Sequence, residues 1–235
     1  MQKQFLFILL TLLTFLVAKI NAQTSVGFFI GPNYSFYKVG WTTSKGEPGL
    51  GFQSGVSLKT GTRKIASFRL DLFYSLLTTD ATIDVDPDEN SNSTKKIDAQ
   101  YLFHSINLIP QLQINFLKNR SLFSTIGIGP RTVTAYGKGT ATSRSGNISE
   151  FSGNDYNYIF YPVTLFASVS VGYQNIKLGN LSGFIETGVR GDILSFTNNT
   201  VYTSSWRALS ISINLGFYLD TTKKLSNKTG GNENN

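Results

Sequence analysis

From Arg207 to Leu219 hydrophobic and polar positions alternate without a break. Leu209, Ile211, Ile213, Leu215, Phe217 and Leu219 make one face; Ala208, Ser210, Ser212, Asn214, Gly216 and Tyr218 make the other. A period of two predicts a strand with one apolar and one polar side. The run would span roughly 40 Å at strand rise, about twice a common strand and enough to cross a bilayer at a tilt. Seven further stretches share the pattern, at 25–38, 50–60, 66–80, 101–116, 121–137, 160–175 and 181–196. Thus Phe68, Leu70, Leu72, Tyr74 and Leu76 alternate with Arg69, Asp71, Phe73 and Ser75, and Ile106, Leu108, Leu112, Ile114 and Phe116 with Asn107, Gln111, Gln113 and Asn115. The fifth stretch is less regular, and a bulge is expected near Pro130.

The connectors fall into two alternating classes. Those at 61–65, 117–120 and 176–180 are short; those at 39–49, 81–99, 138–159 and 197–205 are long and rich in Ser, Thr, Asn, Gly and Asp. An even number of strands with short turns at one end and long loops at the other is the layout of an outer-membrane barrel. The expected fold is therefore all-β, an eight-stranded antiparallel up-and-down transmembrane β-barrel over residues 23–219.

The chain opens with Lys3, an apolar run from Phe5 to Val17 and the small residue Ala22, which reads as a secretory signal peptide over 1–22. With no cysteine, disulfides, thiolate metal sites and a lipoprotein anchor are excluded. Aromatic residues make up 13% and charged residues 15% of the chain, the reverse of a soluble surface. The formal charge of +7 loses two with Lys3 and Lys19, and the remaining basic residues are scattered. Nucleic acid is not an expected partner. The polar run over 220–235 reads as a disordered tail.

Alternation does not by itself say which face is inside, and a soluble periplasmic ligand-binding barrel would bury the apolar one. Here the polar phase is Ser, Gly, Asn, Gln and Thr with few charges of both signs, which suits a packed lumen better than a soluble exterior. Tyr34, Phe36, Tyr101, Phe103, Tyr161, Tyr173, Trp206 and Phe217 gather near strand ends, as interfacial girdles would. Pro32, Pro110, Pro130 and Pro162 stand against the assignment, because a closed barrel has no edge on which to hide a missing N–H.

The Gly-rich first strand VGFFIGPNYS, the proline-bearing strand INLIPQLQINF and the return STIGIGPRTVTAYG carry a resemblance. With SVSVGYQ, FIETGVRGDIL and the last aromatic strand, the chain resembles the PorT-like outer-membrane β-barrel family of Bacteroidetes. The resemblance implies location in the bacterial outer membrane and tolerance of proline within strands. The family's namesake is implicated in protein export, so other envelope or secretion proteins are the partners it implies. The polar extension after the final strand departs from the family pattern.

Candidate chemistry is sparse. The charges on the polar phase are Lys59, Arg69, Asp71, Arg131, Glu186, Arg190 and Asp192; Arg69, Asp71, Arg131, Glu186, Arg190 and Asp192 are expected to form a charge network in a narrow lumen. A small gated pore is the functional alternative. His104 is the single histidine, and Ser105 beside it raises the idea of a lipid-modifying barrel enzyme. Neighbours on a strand point to opposite faces, so the pair should not act together. Asp84, Asp86, Asp88 and Glu89 resemble the start of a calcium loop but lack its glycine and its bidentate Glu. No catalytic residue, metal or cofactor is expected. A monomer contacting outer-membrane lipid is expected, with Arg144, Glu150, Phe151, Tyr156 and Tyr158 of the 138–159 loop as a partner surface.

Overall fold

A computed structural model of the chain describes residues 24–40, 45–61, 65–84, 94–117, 119–143, 145–153, 163–178, 181–194 and 205–220. Its strands are β1 (Thr24–Gly40), β2 (Lys45–Gly46), β3 (Gly49–Thr60), β4 (Ala66–Asp84), β5 (Thr94–Phe116), β6 (Leu122–Ser143), β7 (Ile148–Gly153), β8 (Val163–Leu178), β9 (Leu181–Asp192) and β10 (Ser205–Asp220). The eight long strands pair antiparallel in chain order, and β10 returns to β1, so the ring closes. The expected signal peptide lies outside the described residues. So does the expected tail, except that β10 runs one residue into it, to Asp220.

The register fixes the ring's dimensions. From Ser210 the pairing leads through Arg190, Ser168, Gly127, Gln111, Arg69, Lys59 and Ser25 to Asp220, ten residues further along the starting strand. Ten residues of rise are roughly 33 Å, and eight strand spacings roughly 38 Å. The strands therefore tilt by about 41°, inside the usual range for barrels. Facing backbones stand roughly 16 Å apart, a width that side chains fill.

Hydrophobic side chains point outward. Phe28, Ile30, Val56, Leu72, Ile106, Leu112, Ile126, Val169, Val171, Ile213 and Leu215 are exposed on the outer wall, whereas Ser57, Gln53, Gln113, Thr125, Ser170, Ser212 and Asn214 are buried inside. The lumen is not wholly polar, because Phe29, Phe73, Ile109, Phe123, Phe166, Phe184 and Tyr218 cluster within it. Its rings lie over glycines of neighbouring strands. Tyr218 pairs with Gly27, Phe123 with Gly172, Phe184 with Gly216, and Phe29 with both Gly55 and Gly216. A Cβ at Gly172 or Gly216 would sit 2.4 Å from the ring beside it, so each glycine is the space its aromatic neighbour occupies.

The prolines lie in the ladder without shifting it. Pairing of β1 with β10 stops at Ile30 opposite Leu215 and resumes at Asn33 opposite Ser212 in the same register. Pairing of β5 with β6 stops at Asn107 opposite Arg131 and resumes at Gln111 opposite Gly127. The bulge expected near Pro130 is therefore absent. Each missing N–H opens one seam locally, while Pro32, Pro110 and Pro130 stay paired on their other side with Phe52, Leu70 and Leu165. Register shifts occur instead between Thr94 and Lys96 and between Gln174 and Ile176. Pro162 lies outside the described residues.

Three strands outrun the rest of the ring, and along them the two faces exchange character. The β5–β6 ladder continues to Thr94 opposite Ser143, and β4 pairs β5 as far as Asp84 opposite Lys96. β2 adds to β4 and β7 to β6 on the flanks of this extension. Up to the row Leu76–His104–Thr134 the outer face is mainly apolar and the inner face mainly polar. Beyond it the outer face carries Leu102 and Tyr136 next to the row and then Thr78, Asp80, Thr82, Gln100, Asp98, Lys138 and Thr140, and the inner face Leu77, Ala99, Tyr101, Phe103 and Ala135 beside the polar Thr79. Tyr101 and Phe103 are thus not girdle residues; they are buried and stacked on each other with centroids 5.9 Å apart. The long connectors expected at 81–99 and 138–159 are in large part strand.

Gly216→Val places a branched side chain against both the Phe184 ring and the Phe28 carbonyl at the closing seam. Such overpacking costs about 1–3 kcal/mol or more. Urea unfolding in lipid vesicles should show at least that loss; an unchanged midpoint would refute the packing described.

Candidate functional site

The lumen is built in layers because alternate residues of tilted strands bring inward side chains to successive heights. At the short-turn end Lys59 Nζ donates to Gln174 Oε1 at 2.7 Å and lies 5.5 Å from the Tyr218 ring centroid. Gln174 Nε2 donates in turn to Asn115 Oδ1 at 3.0 Å and to the Arg120 carbonyl at 2.7 Å.

Above this lies Arg69, 1% exposed. Arg69 and Asp71 are two apart on β4, so both face inward, and the guanidinium grips the carboxylate through Nε and Nη2 at 2.8 Å each. Nη1 reaches across the lumen to Glu186 Oε2 at 2.6 Å. The acceptors are filled from other strands: Gln111 Nε2 donates to Asp71 Oδ2 at 2.7 Å and Ser170 Oγ to Glu186 Oε1. Ser57 Oγ accepts from Arg69 Nε at 3.1 Å, and the Phe184 centroid lies 5.5 Å from the guanidinium carbon. A bidentate grip on Asp71, with both oxygens of Glu186 also hydrogen-bonded, is the geometry in which a buried ion pair can offset its desolvation.

Toward the long-connector end lies a second pair. Arg131 Nη2 contacts Asp192 Oδ2 at 2.6 Å, and the Ala208 N–H donates to the same oxygen at 2.7 Å. Arg190 belongs to neither pair. Its Nη1 donates to Gln53 Oε1, its guanidinium carbon lies 4.3 Å from the Phe73 centroid, and Gln53 Nε2 donates to Asn214 Oδ1. The expected single network is therefore two ion clusters with Arg190 between them, bound to a neutral amide. A cavity beside it is lined by Asn33, Phe73, Arg131, Arg190, Asp192 and Ser210 among others, and leaves about 20 Å³ for water centres. That is room for about one or two waters.

The remaining candidates separate. His104 faces outward, where its Nδ1 lies 2.6 Å from the Tyr74 hydroxyl. Ser105 faces inward and shares a 2.7 Å hydrogen bond with Ser75, so the two point to opposite sides of the wall. Asp84 ends β4, while Asp86, Asp88 and Glu89 lie outside the described residues. Among the described residues no group of three His, Asp or Glu side chains could hold a metal ion. In the candidate partner loop, Glu150 is exposed on β7 opposite Thr140, and the backbone of Phe151 pairs with Gly139. Arg144, Tyr156 and Tyr158 lie outside the described residues. Gln53, Gln111, Ser170 and Asn214 hold the charges in place but carry none themselves. Their inward phase was the signal available for them in the sequence.

Among solved structures, the chain is similar to Ail, the attachment invasion locus protein of Yersinia pestis, at 12% identity and a TM-score of 0.41, covering 84% of this chain and 99% of that one. It is also similar to Neisserial surface protein A, at 13% identity and a TM-score of 0.38, covering 82% and 96%. The outer membrane protein OprG from Pseudomonas aeruginosa follows at 10% and 0.37, covering 84% and 96%. No protein-family model and no curated protein matches the chain. The barrel is read from the pairing of its own strands.

Arg69→Met leaves two buried carboxylates without their cation and should cost about 3–5 kcal/mol of unfolding free energy. Glu186→Gln keeps an oxygen for hydrogen bonding and removes one charge, so its cost should be smaller. Urea titrations of refolded protein in vesicles measure both; an Arg69→Met variant as stable as the parent would refute the role assigned to this cluster.

Proposed function

We propose that the protein is an integral barrel of the bacterial outer membrane, non-enzymatic, whose working part is the wall that extends beyond the bilayer. One observation carries the reading: along three adjacent strands the mainly apolar and mainly polar faces exchange around the row Leu76–His104–Thr134. A change of medium outside the wall, from lipid to water, gives that exchange a direct physical cause. The aromatic Tyr34, Phe36 and Tyr74 and the bonded His104 lie near the same level, where amphipathic rings suit a headgroup region. In this arrangement the short turns are periplasmic, and β7 with the far ends of β4, β5 and β6 faces outward.

The lumen layers favour an anchor over a conduit, since ion clusters and aromatic rings occupy the space that eight strands leave. The opposite facing of His104 and Ser105 offers no acid–base pair for lipid chemistry. The exposed apolar belt weighs against a soluble periplasmic barrel. A monomer that presents its extended wall to other envelope or secretion proteins fits both the PorT-like sequence resemblance and the outward polar face.

Single cysteines carrying an environment-sensitive fluorophore test the membrane level. A label at residue 106 should be quenched by lipid-borne nitroxides and one at residue 100 by aqueous quencher. The protein should fractionate with the outer membrane, migrate differently unboiled and boiled on SDS gels, and show no unitary currents in planar bilayers. Equal lipid quenching at both positions would remove the reading, and steady conductance would favour a pore.

A further inference from the structure

We infer, on the membrane reading above, that the short-turn rim binds phosphate groups of anionic lipids in the leaflet on its side, through Arg120 and Lys177. The connectors expected at 61–65, 117–120 and 176–180 carry Arg63, Lys64, Lys118, Arg120 and Lys177, and no Asp or Glu. Each joins strands at the same end of the ring, so basic residues scattered along the sequence gather at one end of the barrel. The opposite end mixes signs, with Glu47, Asp80, Asp98 and Glu150 against Lys138 and Arg207. Arg120 and Lys177 belong to the described residues, among which neither has a carboxylate within ion-pair distance. Asp220 ends β10, two strands from β8 and in the row of Ser25 and Lys59.

The strand ends that carry these two cations are bound into one platform. Gln174 Nε2 donates to the Arg120 carbonyl at 2.7 Å, the Gln174 N–H to the Ser121 carbonyl at 2.6 Å, and Asn175 Nδ2 to the Asn119 carbonyl at 3.2 Å. Leu117, Arg120 and Asn175 are the non-glycine residues of positive φ among those described, at 66°, 55° and 69°, and all belong to this platform. Asparagine tolerates that conformation, whereas arginine gains nothing from it and glycine would sit there without strain. Backbone demand therefore does not account for Arg120. What the strained position keeps is a cation on the turn beside Lys177.

The apolar belt sets the level of these cations. On β5 it runs from His104 to Phe116, twelve residues or roughly 40 Å of strand. At a tilt of about 41° that is a height of roughly 30 Å, the thickness of a hydrocarbon core. The rim thus lies one core below the row around which the outer face turns polar. Phe116, Leu117, Leu122 and Ile176 are exposed beside the cations, an apolar flank for acyl chains next to charges that reach headgroups. An acidic soluble partner would leave that flank uncovered; an anionic lipid engages both.

The test is electron spin resonance of spin-labelled lipids around the full chain refolded in phosphatidylcholine vesicles. Labelled phosphatidylglycerol should be immobilised at the protein in preference to labelled phosphatidylcholine, about fivefold for each cation in contact. The preference should fall as salt is raised. Arg120→Gly relieves the positive φ, so unfolding stability should hold or rise while the preference drops; with Lys177→Gln added, most of it should go. Arg120→Lys should keep the preference, and Lys138→Gln, at the opposite end, should not alter it. Inorganic phosphate should displace the labelled lipid no better than chloride at equal ionic strength. Equal immobilisation of both lipids by a chain that still migrates differently unboiled and boiled would overturn this inference and leave the membrane reading standing. So would a preference undiminished by Arg120→Gly with Lys177→Gln, or one that phosphate removes where chloride does not.

Discussion

The constraint on which the rest depends is the closure of eight strands with a ten-residue stagger. Closure leaves no edge, so backbone hydrogen bonds are satisfied within the wall and its outer side can be apolar without an exposed ladder. The stagger sets the tilt, and tilt with strand number sets a lumen too narrow for bulk water. Facing walls must then divide the space between them. Large inward residues such as Phe123 and Phe184 are possible because Gly172 and Gly216 surrender their side-chain volume. Elsewhere, serines such as Ser57 and Ser170 leave room for Arg69 to cross from β4 to β9.

Closure also decides how charge is handled. Lumen groups below the rim face other side chains on one side and a wall with an apolar exterior on the other, so solvent screening is weak. Arg69 meets this with a two-point grip on Asp71 and a third bond to Glu186, each acceptor backed by an uncharged donor from another strand. Such a cluster is weak evidence of net stabilisation, yet breaking it one-sidedly is expensive. It ties strands across the lumen, since only the closed ring brings β3, β4 and β9 to the same guanidinium and β5 and β8 to its two carboxylates.

Much of this was legible in the sequence, and the reasons are local. A period of two is a property of the backbone, so the inward and outward sets of β3, β4, β8, β9 and β10, and of β5 over 106–116, could be read from residue type. Arg69 and Asp71 could be placed together because i and i+2 share a face. What could not be read depends on register, which relates residues far apart in the chain. The division of six charges into Arg69–Asp71–Glu186, Arg131–Asp192 and a separate Arg190 follows from heights that only the ten-residue stagger sets. Pro130 was misjudged for a related reason. A proline between two partner strands can lose one bond and keep register when neighbouring pairs and its other partner hold it.

Tyr101 and Phe103 show a different failure, and it explains the extended wall. Assigning them to a girdle assumes that apolar means outward along the whole of β5, which holds only while the medium outside is less polar than the lumen. From Phe116 to His104 that rule is obeyed apart from Ile109; beyond it, after the outward Leu102, it is reversed, with Asp98 and Gln100 outward and Ala99, Tyr101 and Phe103 inward. A single strand thus belongs to two cores of opposite sense, and their junction locates a boundary that composition averaged over the strand erases. The same residue type has opposite effects on its two sides: a polar side chain in place of Ile106 faces the apolar belt, whereas two rows further along, at Leu102, the outer wall is already turning polar. In this chain the sign of amphipathicity, more than its strength, tells one part of the wall from the other.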